Sequence, residues 1–172
     1  MVVIGLGSPF LSDDSVGPRV VRELAARGLA GVRLVEAHAG GLLLLEELAG
    51  ASRAVIVDAL LDERRRPGEI VLAGLGQASC NASCSHDCSL PEALLLGRAM
   101  GLPLPPDAAI HLVGIVARDV TSFSEQLTPE VAAALQGACD AVCGVLAPGS
   151  APPCREALSA KAAVAALFRE AV

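Results

Sequence analysis

The segment that most narrows what this chain can fold into is its opening, residues 2–24, VVIGLGSPFLSDDSVGPRVVREL. An unbroken apolar run passes into a glycine turn. Val16, Val20, Val21 and Leu24 then recur at helical spacing. That order predicts a strand buried on both faces, followed by a helix over 14–27.

The alternation continues along the chain. VRLVEA (32–37) reads as a second strand and GLLLLEELAG (41–50) as a helix ending at Gly50. RAVIVDAL (53–60) is a third strand, and GEIVLA (68–73) a fourth, placed at an edge. Residues 74–88 are small, polar and Cys-rich, as in a loop. LPEALLLGRAMG (90–101) is a helix with Pro91 in its first turn and Gly101 as its stop. AIHLVGIVA (109–117) is the fifth strand. Thr128 is the expected N-cap of a long helix with Pro129 at its first position.

Strands alternating with helices imply a three-layer α/β/α sandwich, with a central twisted, mostly parallel sheet of about five strands. One domain is expected over 1–147, then a Pro-rich break and a helical tail over 148–172. With 2% aromatic residues, the core has to be built from Ala, Val, Leu and Ile. A net charge of −6, with no basic cluster larger than ERRRPG (63–68), excludes a nucleic-acid surface. The opening MVVIGLG lacks the charged start of a signal peptide, and no apolar run reaches the roughly 20 residues of a membrane span. A cytoplasmic chain with six reduced cysteines and no membrane partner is therefore expected.

In such sheets ligands bind beyond the carboxyl ends of the strands, where the strand order reverses. Functional residues should follow strands one, three and five. Gly5 and Gly7 offer G-x-G after a strand, and Glu36 stands where a ribose-binding acid would be, so a nucleotide-binding oxidoreductase is one reading. Against it, Phe10 holds the place of the third glycine, and Pro9 removes an amide. Asp13 and Asp14 also put negative charge where a pyrophosphate needs a bare helix N-terminus. An aspartate there is ordinarily a cap, but capping needs only one of the two.

Asp58 closes AVIVD at the end of strand three, the expected neighbour of strand one. Two carboxylates would then face each other across the switch point. His86, in SCSHDCSLPEALLLG, would complete an Asp/Asp/His set for a divalent metal with an open position. A rival set is Cys80, Cys84, His86 and Cys88, a soft-ligand site for a nickel- or zinc-binding accessory protein that catalyses nothing. Cys139, Cys143 and Cys154 read as helix residues facing the core; His38 and His111 have no partner visible in the sequence.

These motifs resemble the maturation endopeptidases of nickel-iron hydrogenases. The family's G-x-G-N-x-L-x-x-D-[DE]-x-x-G signature is similar to GLGSPFLSDDSVG here, its V/A-D-A strand end to VIVDAL, and its S-x-H-x-x-[GS]-L stretch to SCSHDCSL. IHLVGIVA and FSEQLTPEVAAAL also match, so the likeness runs over roughly residues 2–146. Ser8 replaces the usual Asn, and Asp14 stands where some members have Glu. The cysteine cluster and the tail after Pro148 are outside the family pattern.

The resemblance implies a hydrolase, of metal-dependent or aspartic type. It would remove the C-terminal extension of a hydrogenase large-subunit precursor once nickel has been inserted. Asp14, Asp58 and His86 would be its catalytic and metal-contacting residues. The metal would be nickel presented by the substrate, with Zn2+ or Cd2+ able to substitute in vitro.

Overall fold

The computed structural model describes residues 1–38, 40–75 and 89–147. Five strands form one sheet in the order β2-β1-β3-β5-β4, with β1 at Val2–Leu6, β2 at Arg33–Ala37, β3 at Ala54–Leu60, β4 at Ile70–Gly74 and β5 at Ile110–Val116. The pairs β1–β2, β1–β3 and β3–β5 are parallel; β4 runs antiparallel to β5 at the edge. Every residue of β1, β3 and β5 is buried, as their unbroken apolar runs require.

Two cores lie on opposite faces of the sheet. Val3, Val55, Val57, Val113 and Ile115 pack against α1 (Val16–Ala26) and α4 (Pro129–Leu146). Val2, Ile4, Ile56, Ile110 and Leu112 pack against α2 (Leu44–Leu48) and α3 (Leu90–Ala99). This is the expected three-layer α/β/α arrangement, and the cores consist of Val, Leu, Ile, Ala and one cysteine, Cys139. Among the described residues, no helix is long and apolar enough to cross a membrane.

Three local readings differ. The first helix starts later than position 14, because Asp13–Ser15 forms a separate 3-10 turn before α1 begins at Val16. The helix expected over 41–50 is a 3-10 turn at Gly41–Leu43 and then only five α-helical residues. Its chain leaves at Ala49 in an extended conformation, before Gly50 at φ 75°. Thr128 does precede α4, but its side chain makes no capping bond.

The chain passes from β1 to β2 on one side and returns to β3 on the other, so the crevice above β1 and β3 is the switch point. The end of α3 is tied to the opposite edge of the sheet. Beyond it, Pro103 accepts a 2.8 Å bond from Gly50 N–H, just ahead of β3. Ten helical residues span about 15 Å, and α3 also touches the Gly41–Leu43 turn that follows β2. Ser89 therefore opens α3 toward the carboxyl edge. There the Glu92 carboxylate accepts from the Ser89 amide at 2.9 Å and its hydroxyl at 2.6 Å.

Candidate active site

The glycines of the opening segment are needed for contact between backbones. A Cβ on Gly5 would lie 2.2 Å from the Gly17 carbonyl oxygen. One on Gly17 would lie 2.2 Å from the Leu6 oxygen and 2.6 Å from that of Val57. With hydrogens in both places, α1 seats directly on β1 and β3. Gly7 has φ 131°, and a Cβ there would fall 1.8 Å from the Asp14 carbonyl oxygen. The turn thus closes tightly under Asp14.

The same geometry leaves no phosphate cradle. Gly7 N–H donates to the Ala37 oxygen at 3.1 Å, and Ser8 N–H to Asp14 Oδ2 at 2.6 Å. Phe10 N–H points at Ser8 Oγ and Leu11 N–H at the Ser8 oxygen, both at 3.4 Å. These amides of the turn are thus already bonded, to β2 or within the turn itself. Glu36 is held by Arg22 in a two-point ion pair at 2.9 and 2.6 Å. That hydrogen-bonded partner keeps its pKa low. A dinucleotide would find neither amides nor a free ribose acid here.

Asp13 and Asp14 are adjacent in sequence and unlike in role. Asp13 is 0% exposed, and its carboxylate accepts from Arg118 N–H at 2.9 Å, Asp119 N–H at 3.1 Å and Thr128 N–H at 2.7 Å. The Thr128 hydroxyl adds bonds of 3.0 and 2.9 Å, which is why it does not cap α4. Neither aspartate is the expected helix cap: Asp13 ties two distant loops together, and Asp14 takes the Ser8 amide within the turn. The only sequence signal for Asp13 was that two acids stood where one would suffice. Its partners lie 105 to 115 positions away.

Asp58 lies two residues before the end of β3, pairs with Gly114 of β5 and is 8% exposed. Its Oδ1 accepts the Ala59 amide at 2.8 Å. Burial, and then the charge of Asp14, push its pKa up to about 8 against the pull of that bond. The two carboxylates expected to face across the switch point therefore sense each other. Deprotonated together, they would favour a cation between them.

Among the described residues no third His, Cys, Asp or Glu completes a metal-binding group with them. His86 lies outside the described residues, as do Cys80, Cys84 and Cys88. His38 has gained a neighbour: its Nδ1 sits 3.0 Å from the Gly7 carbonyl oxygen, on the exposed rim of the same turn. His111 is 5% exposed, further down β5 from the site, and its Nδ1 has no hydrogen-bond partner among the described residues. Cys139 is buried and Cys143 half-buried, as expected of core-facing helix residues.

No family model matches the chain. A hydrogenase 2 maturation protease of Escherichia coli (strain K12) is 25% identical over 151 residues, 85% of this chain and 90% of that protein. The solved structure of the E. coli hydrogenase maturating endopeptidase HybD matches with a TM-score of 0.66 at 26% identity. That match covers 82% of this chain and 88% of the other. The chain is a relative of the hydrogenase maturation proteases. A hydrogenase 2 maturation peptidase from Thaumarchaeota archaeon SCGC_AB-539-E09 is similar over 84% of this chain and 96% of its own, at 26% identity and a TM-score of 0.64. In this relative of those proteases, Asp14 and Asp58 are the aspartates that the resemblance singled out, and they stand together at the switch point.

Proposed function

We propose that this protein is an endopeptidase that removes the C-terminal extension of a nickel-iron hydrogenase large-subunit precursor after nickel insertion. The observation that carries the reading is the pairing of Asp58, buried and raised to about 8, with Asp14 at the switch point. Two carboxyl groups sharing a site repel each other, an arrangement that metal sites and hydrolytic sites use. His86 is the proposed third ligand. It stands three residues before Ser89, which opens α3 toward the carboxyl edge.

In this reading nickel arrives as part of the substrate, and Asp14, Asp58 and His86 complete its coordination. Bound there, the metal supplies a Lewis acid for the scissile carbonyl or the attacking water. The peptide C–N bond breaks, water's oxygen goes to the carbonyl carbon, and the leaving amine gains a proton. Asp58 must give up its own proton to bind, so binding is weakened below about pH 8.

A second reading has a specific observation behind it. A raised Asp58 beside Asp14 is also what an aspartic-type dyad needs, in which one acid activates water and the other protonates the leaving group. Nickel-free precursor separates the two readings: cleavage without metal supports the dyad, and cleavage of loaded precursor alone supports nickel-dependent processing.

The deciding experiment incubates purified protein with nickel-loaded precursor and follows the shortened product by mass spectrometry. Asp14→Asn and His86→Ala should each abolish processing. Asp14 is half-buried on a turn, so the first substitution should leave the fold nearly intact. Normal cleavage by either variant removes that residue from the site.

A further inference from the structure

Phe10 and Phe123 bear two of only three aromatic side chains in a sequence with no Trp or Tyr. Both cores are assembled without them. Phe10 is 63% exposed and Phe123 89% exposed. A scattered exposed Leu needs no explanation, but scarce aromatic residues left in water on adjoining loops do.

The loops that carry them are firmly joined. Leu11 and Phe123 form an antiparallel bridge, Ser124 N–H donates to the Phe10 oxygen at 3.0 Å, and Ser12 N–H to the Ser122 oxygen at 3.1 Å. Ser12 Oγ reaches the Gln126 oxygen at 3.1 Å, and Arg19 of α1 bonds the Glu125 carbonyl. Asp13, sealed beneath, clamps Arg118, Asp119 and Thr128. Rings displayed on backbone already held in place lose little entropy on binding, which is how aromatic anchors at interfaces gain their strength.

Their position says what they meet. Phe10 belongs to the turn closed by the 2.6 Å bond between Ser8 N–H and Asp14. A macromolecule presenting a peptide bond to Asp14 and Asp58 must lie against this turn. A free ion or a water molecule would need no such surface.

We propose that Phe10 and Phe123 form the docking edge that seats an apolar segment of the large-subunit precursor beside the bond to be cut. The inference rests on the endopeptidase reading and adds the residues that recognise the substrate. The test is steady-state cleavage of nickel-loaded precursor by wild type, by Phe10→Ser/Phe123→Ser and by Phe10→Leu/Phe123→Leu. The serine pair should raise KM at least about tenfold with kcat unchanged, as for loss of interface anchors, and the leucine pair should restore most of the affinity.

An unchanged kcat/KM overturns the docking edge, and so does a loss confined to kcat. If the serine pair instead turns a self-associating protein into a monomer with unaltered kinetics, the rings serve a second copy of this chain, and the proposal falls. A wild-type protein that cleaves nothing removes the endopeptidase reading and the docking edge with it. That outcome is distinct from active wild type with indifferent variants.

Discussion

Asp13 and Asp58 are both nearly sealed from water, yet their carboxylates face opposite surroundings. Asp13 is ringed by donors, three amides and a hydroxyl, all compatible with its charge. Asp13→Asn would turn an amide NH2 toward those donors, and should cost about 2–4 kcal/mol in chemical denaturation. Because Asp13 fixes the turn that carries Asp14, processing should fall as well; a variant as stable as wild type would remove this bracing role. Asp58 has one amide bond and a like charge nearby, so its pKa rises to about 8. Unfolded, it would titrate at an ordinary carboxyl value near 4. Between roughly pH 4 and 8 the folded protein holds a proton that the unfolded chain has released, so stability falls as pH rises through this window and levels off above it. Asp58→Asn lacks the titration. It should be more stable than wild type at pH 8 by on the order of a few kcal/mol, nearly equal at pH 4, and inactive. Parallel stability profiles for the two proteins from pH 4 to 8 would sink this account.

The contact between β1 and α1 works because Gly5 and Gly17 let one backbone rest on the other. Gly17→Ala would drive a methyl into the Leu6 and Val57 carbonyl oxygens, which the sheet holds in place. Overpacking against backbone should destabilise by about 3 kcal/mol or more, or leave the protein insoluble; a wild-type unfolding midpoint for this variant would contradict the close approach. This also marks the limit of what could be read from sequence. β1, β3 and β5 were legible because full burial leaves an apolar run with sharp ends, and the edge position of β4 was legible as well. Gly5, with Gly7, looked like a turn motif, and nothing local announced that Gly17 would rest against the Leu6 and Val57 backbone. Thr128 looked like a cap because nothing local announces that Asp13 takes its hydroxyl. The short α2 misled for a related reason: Leu42 and Leu43 extend the helical pattern but stay exposed, and the chain turns away after Leu48.

For the whole molecule, the placement of Asp14 and Asp58 followed from alternation alone: strands one and three of a doubly wound sheet flank its switch point, and β1 and β3 do. Experiment separates this carboxylate site from the cysteine cluster: His86 belongs to the motif of each and lies with Cys80, Cys84 and Cys88 outside the described residues. The two sites differ in chemistry. Carboxylates with an imidazole hold nickel or zinc moderately and keep a position open, whereas three thiolates and a histidine hold zinc tightly in a closed tetrahedron. If nickel comes with the substrate, the protein as purified should contain little zinc. A Cys80→Ser/Cys84→Ser/Cys88→Ser variant should then process nickel-loaded precursor at the wild-type rate. The opposite result is equally definite. About one zinc per chain, as a closed site would hold, lost together with activity in the triple variant, would assign His86 to the cysteines. Asp14 and Asp58 would then be left as a close acidic pair with no metal to relieve their repulsion. The first outcome is expected, because the tight glycine turn and the raised Asp58 are both accounted for by the carboxylate site and by nothing in the cysteine cluster.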